Sequence, residues 1–126
     1  MTQEINVLAQ DILRIIPQFV RLLAAELRRS GQLMTPGNFQ LMFMLQYGPA
    51  NLSELAEFQN VSLPTMSRSV ARLESIGWVE RHSDPNDRRV ALIVLTDDGE
   101  KRLQEMGDVA LKIIGEALES TSITDR

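Results

Sequence analysis

The chain of 126 residues has no cysteine. That absence removes disulfides, thiolate nucleophiles, iron–sulfur ligation and thiol redox sensing together. A single histidine is too few for the common zinc sites, which combine several Cys and His ligands. No glycine-rich phosphate loop and no nucleophile with a base at recognisable spacing occur, so neither an enzyme nor a bound cofactor is expected. Long hydrophobic runs are also missing. Apolar residues make up 44% of the chain, but polar side chains interrupt them too often for a bilayer span, and no basic segment precedes an apolar run at the start. Secretion and membrane insertion are therefore not expected, and the cytoplasm is the expected compartment.

A surplus of positive charge is lacking as well: the net charge is -4, which argues against indiscriminate coating of a polyanion. The charge is unevenly spread, however. Residues 61–95 hold five arginines against four acids, residues 1–60 four against five, and residues 96–126 four Lys/Arg against eight acids. The acidity belongs to the tail.

What is present is a succession of helical patterns around one hairpin. Ile5, Leu8, Ile12, Ile15, Phe19 and Leu22 recur at spacings of three and four, a continuous apolar stripe that Leu13, Ile16, Leu23 and Leu27 widen beyond what one neighbouring helix covers. Pro17 lies inside it and predicts a kink or break near Ile16, because proline removes a backbone donor and clashes one turn back. Ser30-Gly31 is the expected stop.

Thr35-Pro36 opens the next helix with a cap and a first-turn proline, and Phe39, Met42, Phe43 and Leu45 carry it to Tyr47-Gly48-Pro49. Asn51 with Glu54 three residues on is a capping-box spacing, and Leu52, Leu55 and Ala56 give the following helix its buried side. Asn60-Val61-Ser62 makes a turn, Ser62 caps again, and the helix from Leu63 to Ile76 stops at Gly77. Along that helix Met66, Val70 and Leu73 form an apolar face, while Thr65, Arg68, Ser69 and Arg72 form a polar one. Such a polar face suits either plain solvation or contact with bases and phosphates.

Residues 81–96 then read as a strand, a tight polar loop with paired arginines, and a second strand. Helix, turn, helix and basic hairpin in that order predict a mainly α chain with a small β-hairpin wing: a winged helix-turn-helix, a module that commonly docks on duplex DNA. His82 fits an ordinary exposed strand position and Trp78 the base of the wing.

Leu55-Ala56, Ser62-Leu63-Pro64-Thr65-Met66-Ser67-Arg68, Leu73-Glu74-Ser75-Ile76-Gly77-Trp78-Val79-Glu80-Arg81, Asp84-Pro85-Asn86-Asp87-Arg88-Arg89 and Leu95-Thr96-Asp97-Asp98-Gly99 together resemble the MarR family of transcriptional regulators. The resemblance covers nearly the whole chain, and the wing followed by the Leu95–Gly99 motif is its most specific part. It implies a DNA-binding lobe over 31–95, an N-terminal dimerisation helix over 1–30 and a C-terminal one over 96–126. The helix at 63–76 is expected to enter the major groove with Ser62, Thr65, Ser67, Arg68, Ser69 and Arg72 as contacts. Arg88, beside Arg89, is expected to enter the minor groove, with Asp84 and Asp87 orienting the wing.

Thr96 is positioned to cap the last helix, whose first turn carries Asp97 and Asp98 at the positive end of the dipole. Leu103, Met106, Ala110, Ile113 and Ala117 then form a packing seam, with Ile114 and Leu118 beside it. That seam suits packing within one chain or across a dimer. The resemblance implies the dimer, and hence a pseudopalindromic double-stranded DNA operator as partner. It also implies repression, relieved by a small aromatic effector. The sequence selects no residues for that effector; Arg14, Arg21 and Tyr47 are candidates. The family's usual final helix is expected to be missing, since the chain stops shortly after Thr124, which has the form of a helix cap. The alternative reading is a winged helix that binds another protein and no DNA, for which the overall acidity speaks.

Overall fold

The structure, a computed structural model, describes residues 2–29 and 35–119. The stop expected at Ser30-Gly31 and the cap expected at Thr124 lie outside them. The described elements are α1 (Thr2–Arg29), α2 (Pro36–Leu45), β1 (Ala50–Asn51), α3 (Leu52–Gln59), α4 (Leu63–Ser75), β2 (Val79–Ser83), β3 (Ala91–Leu95) and α5 (Asp97–Glu119). They fall into two compact units: a lobe spanning residues 33–105, and a helical unit built from the described parts of 1–32 and 106–126.

Local chemistry sets the helix starts of the lobe. Thr35 Oγ1 accepts the Asn38 N–H at 3.0 Å ahead of α2. At α3 the capping box is complete, with the Glu54 N–H on Asn51 Oδ1 at 2.8 Å and the Asn51 N–H on Glu54 Oε1 at 2.9 Å. Asn60 ends α3 in the left-handed region at φ 55°, a conformation that asparagine tolerates better than most residues. α4 then packs its apolar face: Met66, Val70 and Leu73 are fully buried, alongside Leu41, Met42, Leu55, Val79 and Ile93. Each such side chain contributes roughly 1.5–3 kcal/mol relative to exposure.

The sheet is three-stranded and antiparallel in the order β1-β3-β2. Val79 faces Leu95, Arg81 faces Ile93 and Ser83 faces Ala91, which makes β2 and β3 the expected hairpin. β1 is an addition to the expected elements. Its two residues pair Ala50 with Ile93 and Asn51 with Leu92, so Asn51 serves the sheet and caps α3 at once.

The compact lobe takes in residues up to Glu105, and the start of α5 is bound to the end of α4. Gly77, at φ +84°, closes α4: its N–H reaches the Glu74 carbonyl and the Trp78 N–H reaches the Leu73 carbonyl, each at 3.0 Å. This is the Schellman pattern. Thr96 then donates its hydroxyl to the Gly77 carbonyl at 2.5 Å and its N–H to the Trp78 carbonyl at 3.1 Å, while its Oγ1 caps α5 by accepting the Gly99 N–H at 3.0 Å.

In the helical unit α1 is one helix through Pro17, without the expected break. Proline leaves the carbonyl of Leu13 without its usual donor, and the helix nevertheless continues. α1 buries only part of the expected stripe. Asp11, Ile15, Leu23 and Leu27 are buried, whereas Ile5, Leu8, Ile12, Leu13, Ile16 and Val20 remain exposed. Arg14 pairs with buried Asp11. On α5, Met106, Ala110, Ile113 and Ala117 are buried within this unit, so that part of the seam is covered by the chain's own residues. No helix among the described residues is long and apolar enough to cross a membrane.

The tightest contact of the lobe supplies a test. A Cβ on Gly99 would lie 2.0 Å from the Trp78 carbonyl oxygen and 3.0 Å from its carbon. Backbone must move to admit it. Gly99→Ala is expected to lower unfolding stability by about 3 kcal/mol or more, at the upper end of overpacking substitutions, as measured by urea unfolding.

Candidate nucleic-acid interface

Three polar side chains line up along the outer side of α4 at i, i+3 spacing. The Ser62 hydroxyl donates to Thr65 Oγ1 at 2.9 Å, and the same Thr65 oxygen accepts from the Arg68 guanidinium at 3.4 Å. Ser62 Oγ also caps the helix, accepting the Thr65 N–H at 3.3 Å. Arg68 is thus steadied near one position while its charge stays unneutralised. Ser67, Ser69 and Thr65 are half-buried; Ser62, Arg68 and Arg72 are exposed.

The wing loop is built from two successive Asx turns, in which an aspartate accepts the N–H two residues on. Asp84 Oδ1 takes the Asn86 N–H at 2.9 Å and Asp87 Oδ1 the Arg89 N–H at 3.1 Å. The Asp84 N–H reaches the Val90 carbonyl at 3.0 Å and closes the loop. Asp87 also receives the Arg89 guanidinium in a fork, Nε on Oδ1 at 3.1 Å and a terminal nitrogen on Oδ2 at 3.3 Å. These bonds from Arg89, side chain first and then backbone, hold the Asp87 carboxyl below the usual aspartate range.

The adjacent arginines are consequently unlike. Arg89 is tied to Asp87. Arg88 is exposed and pairs with no carboxylate among the described residues, and the same holds for Arg68 and Arg72. Arg81 is spent on Glu74 at 3.1 Å, a tie from β2 to α4. Glu80 faces His82 at 3.0 Å on the same strand.

Between the wing base and the starts of α3 and α4 lies an open groove of about 350 Å³, lined by Asn51, Leu52, Ser53, Leu63 and Arg89 to Ala91. Sequence reasoning misses Ser53 and Leu63 as groove residues, because only the fold brings the α3 start beside the wing. Of the effector candidates, Arg14 is engaged by Asp11, Arg21 is exposed, and Tyr47, 80% exposed, sits edge-on to Phe43 with ring centres 5.8 Å apart.

Comparison with known proteins agrees with this arrangement. A MarR family sequence profile matches residues 34–91. The uncharacterized HTH-type transcriptional regulator YsmB of Bacillus subtilis is 30% identical over 98 residues, covering 72% of this chain and 67% of that protein. YwoH, described likewise and from the same organism, is 39% identical over 71 residues, covering 56% of this chain. The chain spans about half the length of curated relatives such as YwoH and YxaD, 51% and 54%. Among solved structures, the Multiple Antibiotic Resistance Repressor MarR superposes with a TM-score of 0.79 at 26% identity, over 94% of this chain and 85% of that one. A mutant MarR from E. coli complexed with operator DNA gives 0.70 at 28% identity, with the same coverage. The chain belongs to the MarR family and has its winged-helix fold.

The Asp87–Arg89 fork can be tested by titration. The Asp87 carboxyl, followed by NMR, is expected to titrate below an ordinary aspartate and to return toward the ordinary value in Arg89→Ala. Its folded pKa is depressed, so the order it lends the wing is present above the ordinary aspartate range and lost as pH falls through the depressed value. An unchanged Asp87 titration in Arg89→Ala would show that the fork does not form in solution.

Proposed function

We propose that the chain is a transcriptional regulator that binds double-stranded DNA as a homodimer, with α4 in the major groove and Arg88 in the neighbouring minor groove. The observation that carries this reading is the set of unpaired cations, Arg68 and Arg72 on α4 and Arg88 on the wing, in a chain whose other wing arginine is neutralised. Arginine suits both grooves: its fork reads guanine bidentately, and its weakly hydrated cation enters narrow A/T-rich minor grooves. The family, and a structural neighbour complexed with operator DNA, support the same reading.

Ser62, Thr65, Ser67 and Ser69 supply contacts along α4 in this proposal, and Asp84 and Asp87 hold the wing loop in shape. The homodimer is supported by the exposed apolar residues of α1, Ile5, Leu8, Ile12, Leu13, Ile16 and Val20, which contiguous burial against a second copy would cover. Two copies present their recognition helices to half-sites about 34 Å apart, one turn of a pseudopalindromic operator. The proposed mode is repression, relieved by a small aromatic effector.

Fluorescence anisotropy on A/T-rich pseudopalindromic duplexes tests the proposal. Six unpaired arginines in the dimer predict a log–log salt slope of about -5, or roughly a thousandfold loss between about 50 and 200 mM salt. Arg88→Ala is expected to weaken binding by about tenfold, roughly 1.4 kcal/mol. Salt-insensitive association, or no binding by a demonstrably dimeric sample, refutes the DNA reading and favours a protein partner. Sedimentation gives the companion result: Leu13→Asp is expected to shift the chain from dimer to monomer.

A further inference from the structure

Arg102 lies in the lobe on the second turn of α5, and its charge is used within the fold. Its guanidinium carbon sits 5.6 Å from the centre of the Trp78 ring, inside the range of cation–π attraction. The side chain is only 21% exposed, and its nearest carboxylate is that of Glu105 at 3.6 Å. The Nε is buried and has no acceptor among the described residues. A buried donor without an acceptor is unfavourable, so the indole face and the Glu105 carboxylate are the attractions that hold the cation there.

Trp78 in turn is where three elements meet. Its N–H closes α4, its carbonyl receives Thr96 at the start of α5, and the next residue begins β2. Trp78 therefore stands at the base of the hairpin. β2 has five residues, so it is about 16 Å long at about 3.3 Å per residue, and a tilt of about 10° at its base carries the wing tip about 3 Å. That distance equals a whole hydrogen-bond length.

We propose that Arg102 is a positioning residue for the wing: its cation, laid on Trp78, sets the pitch of the hairpin and so aims Arg88. The proposal rests on the DNA reading above. It makes the beginning of α5 a control point, because a rotation that slides Arg102 off the ring is passed to the wing through β2.

Trp78 is the chain's one tryptophan, so its emission reports on this contact directly. The experiment compares wild type, Arg102→Met, Arg102→Lys, Arg88→Ala and the Arg102→Met, Arg88→Ala double variant. Each is measured for Trp78 emission, melting temperature and affinity for one labelled A/T-rich duplex selected from a random pool by the wild-type chain. Arg102→Met keeps an unbranched stem over the ring and removes the cation. It is expected to shift the emission and weaken binding about fivefold, while Lys restores affinity to within about twofold of wild type.

The double variant is decisive. With Arg88 already gone there is no wing cation to aim, so Arg102→Met is expected to add no further loss. If the two losses multiply, or if folded Arg102→Met binds as wild type does, the proposal is overturned. Should Arg102→Met fail to fold, Trp78→Leu supplies the same cycle with Arg88→Ala from the other side of the contact: no added loss supports the proposal, and multiplied losses overturn it. Wild type that binds, weakened by Arg88→Ala but indifferent to position 102, overturns this inference alone. Wild type that binds no duplex overturns the DNA reading and this inference with it.

Discussion

The geometry of the lobe depends on one backbone crossing, the approach of α5 to the carbonyl of Trp78. Residue 99 has no room there for a Cβ, since the Trp78 oxygen would lie 2.0 Å from it. That crossing allows Thr96 to bind both the Gly77 and the Trp78 carbonyls, groups at the end of α4 that would otherwise lack partners. The end of the proposed recognition helix, the first strand of the wing and the start of α5 are therefore fixed to each other by main-chain bonds. Apolar packing of Met66, Val70, Leu73, Val79 and Ile93 stabilises the lobe, but apolar contact is non-directional and leaves the angle between these elements open. The hydrogen bonds at Gly77–Trp78 restrict that angle to a narrow range, within which the finer pitch of the wing is adjusted.

What is legible in the sequence is what the chain decides locally. Thr35, Asn51 and Ser62 each bond to backbone three residues away, and such bonds leave their mark in residue spacing alone. The hairpin and the apolar face of α4 are readable for the same reason. β1 is not readable: two residues carry no alternation, and Ala50–Asn51 becomes a strand only because β3 comes alongside. The Glu74–Arg81 pair and the Arg102–Trp78 contact also require the tertiary fold. On α1 the periodicity announces a helix correctly but leaves undecided which part of its stripe is covered. Leu23 stands on the same face as Ile5, about five turns on, yet Leu23 is buried and Ile5 exposed. Pro17 does not break the helix as its residue type alone predicts: α1 runs through it.

An acidic chain is a poor match for a polyanion only while charge is counted over the whole molecule. Exposed charges more than about 8–10 Å apart are largely screened at physiological ionic strength, so the whole-chain total says little about the field at any one cation. What matters is which cations near the interface are already neutralised. The wing motif Asp84-Pro85-Asn86-Asp87-Arg88-Arg89 has equal numbers of acids and arginines and would look neutral on paper. Both acids are drawn into the loop by their own Asx turns, and Asp87 takes Arg89 with it. One acid two residues before one arginine thus separates two identical neighbours, making Arg89 part of the loop's framework and leaving Arg88 the wing cation whose charge is still unspent.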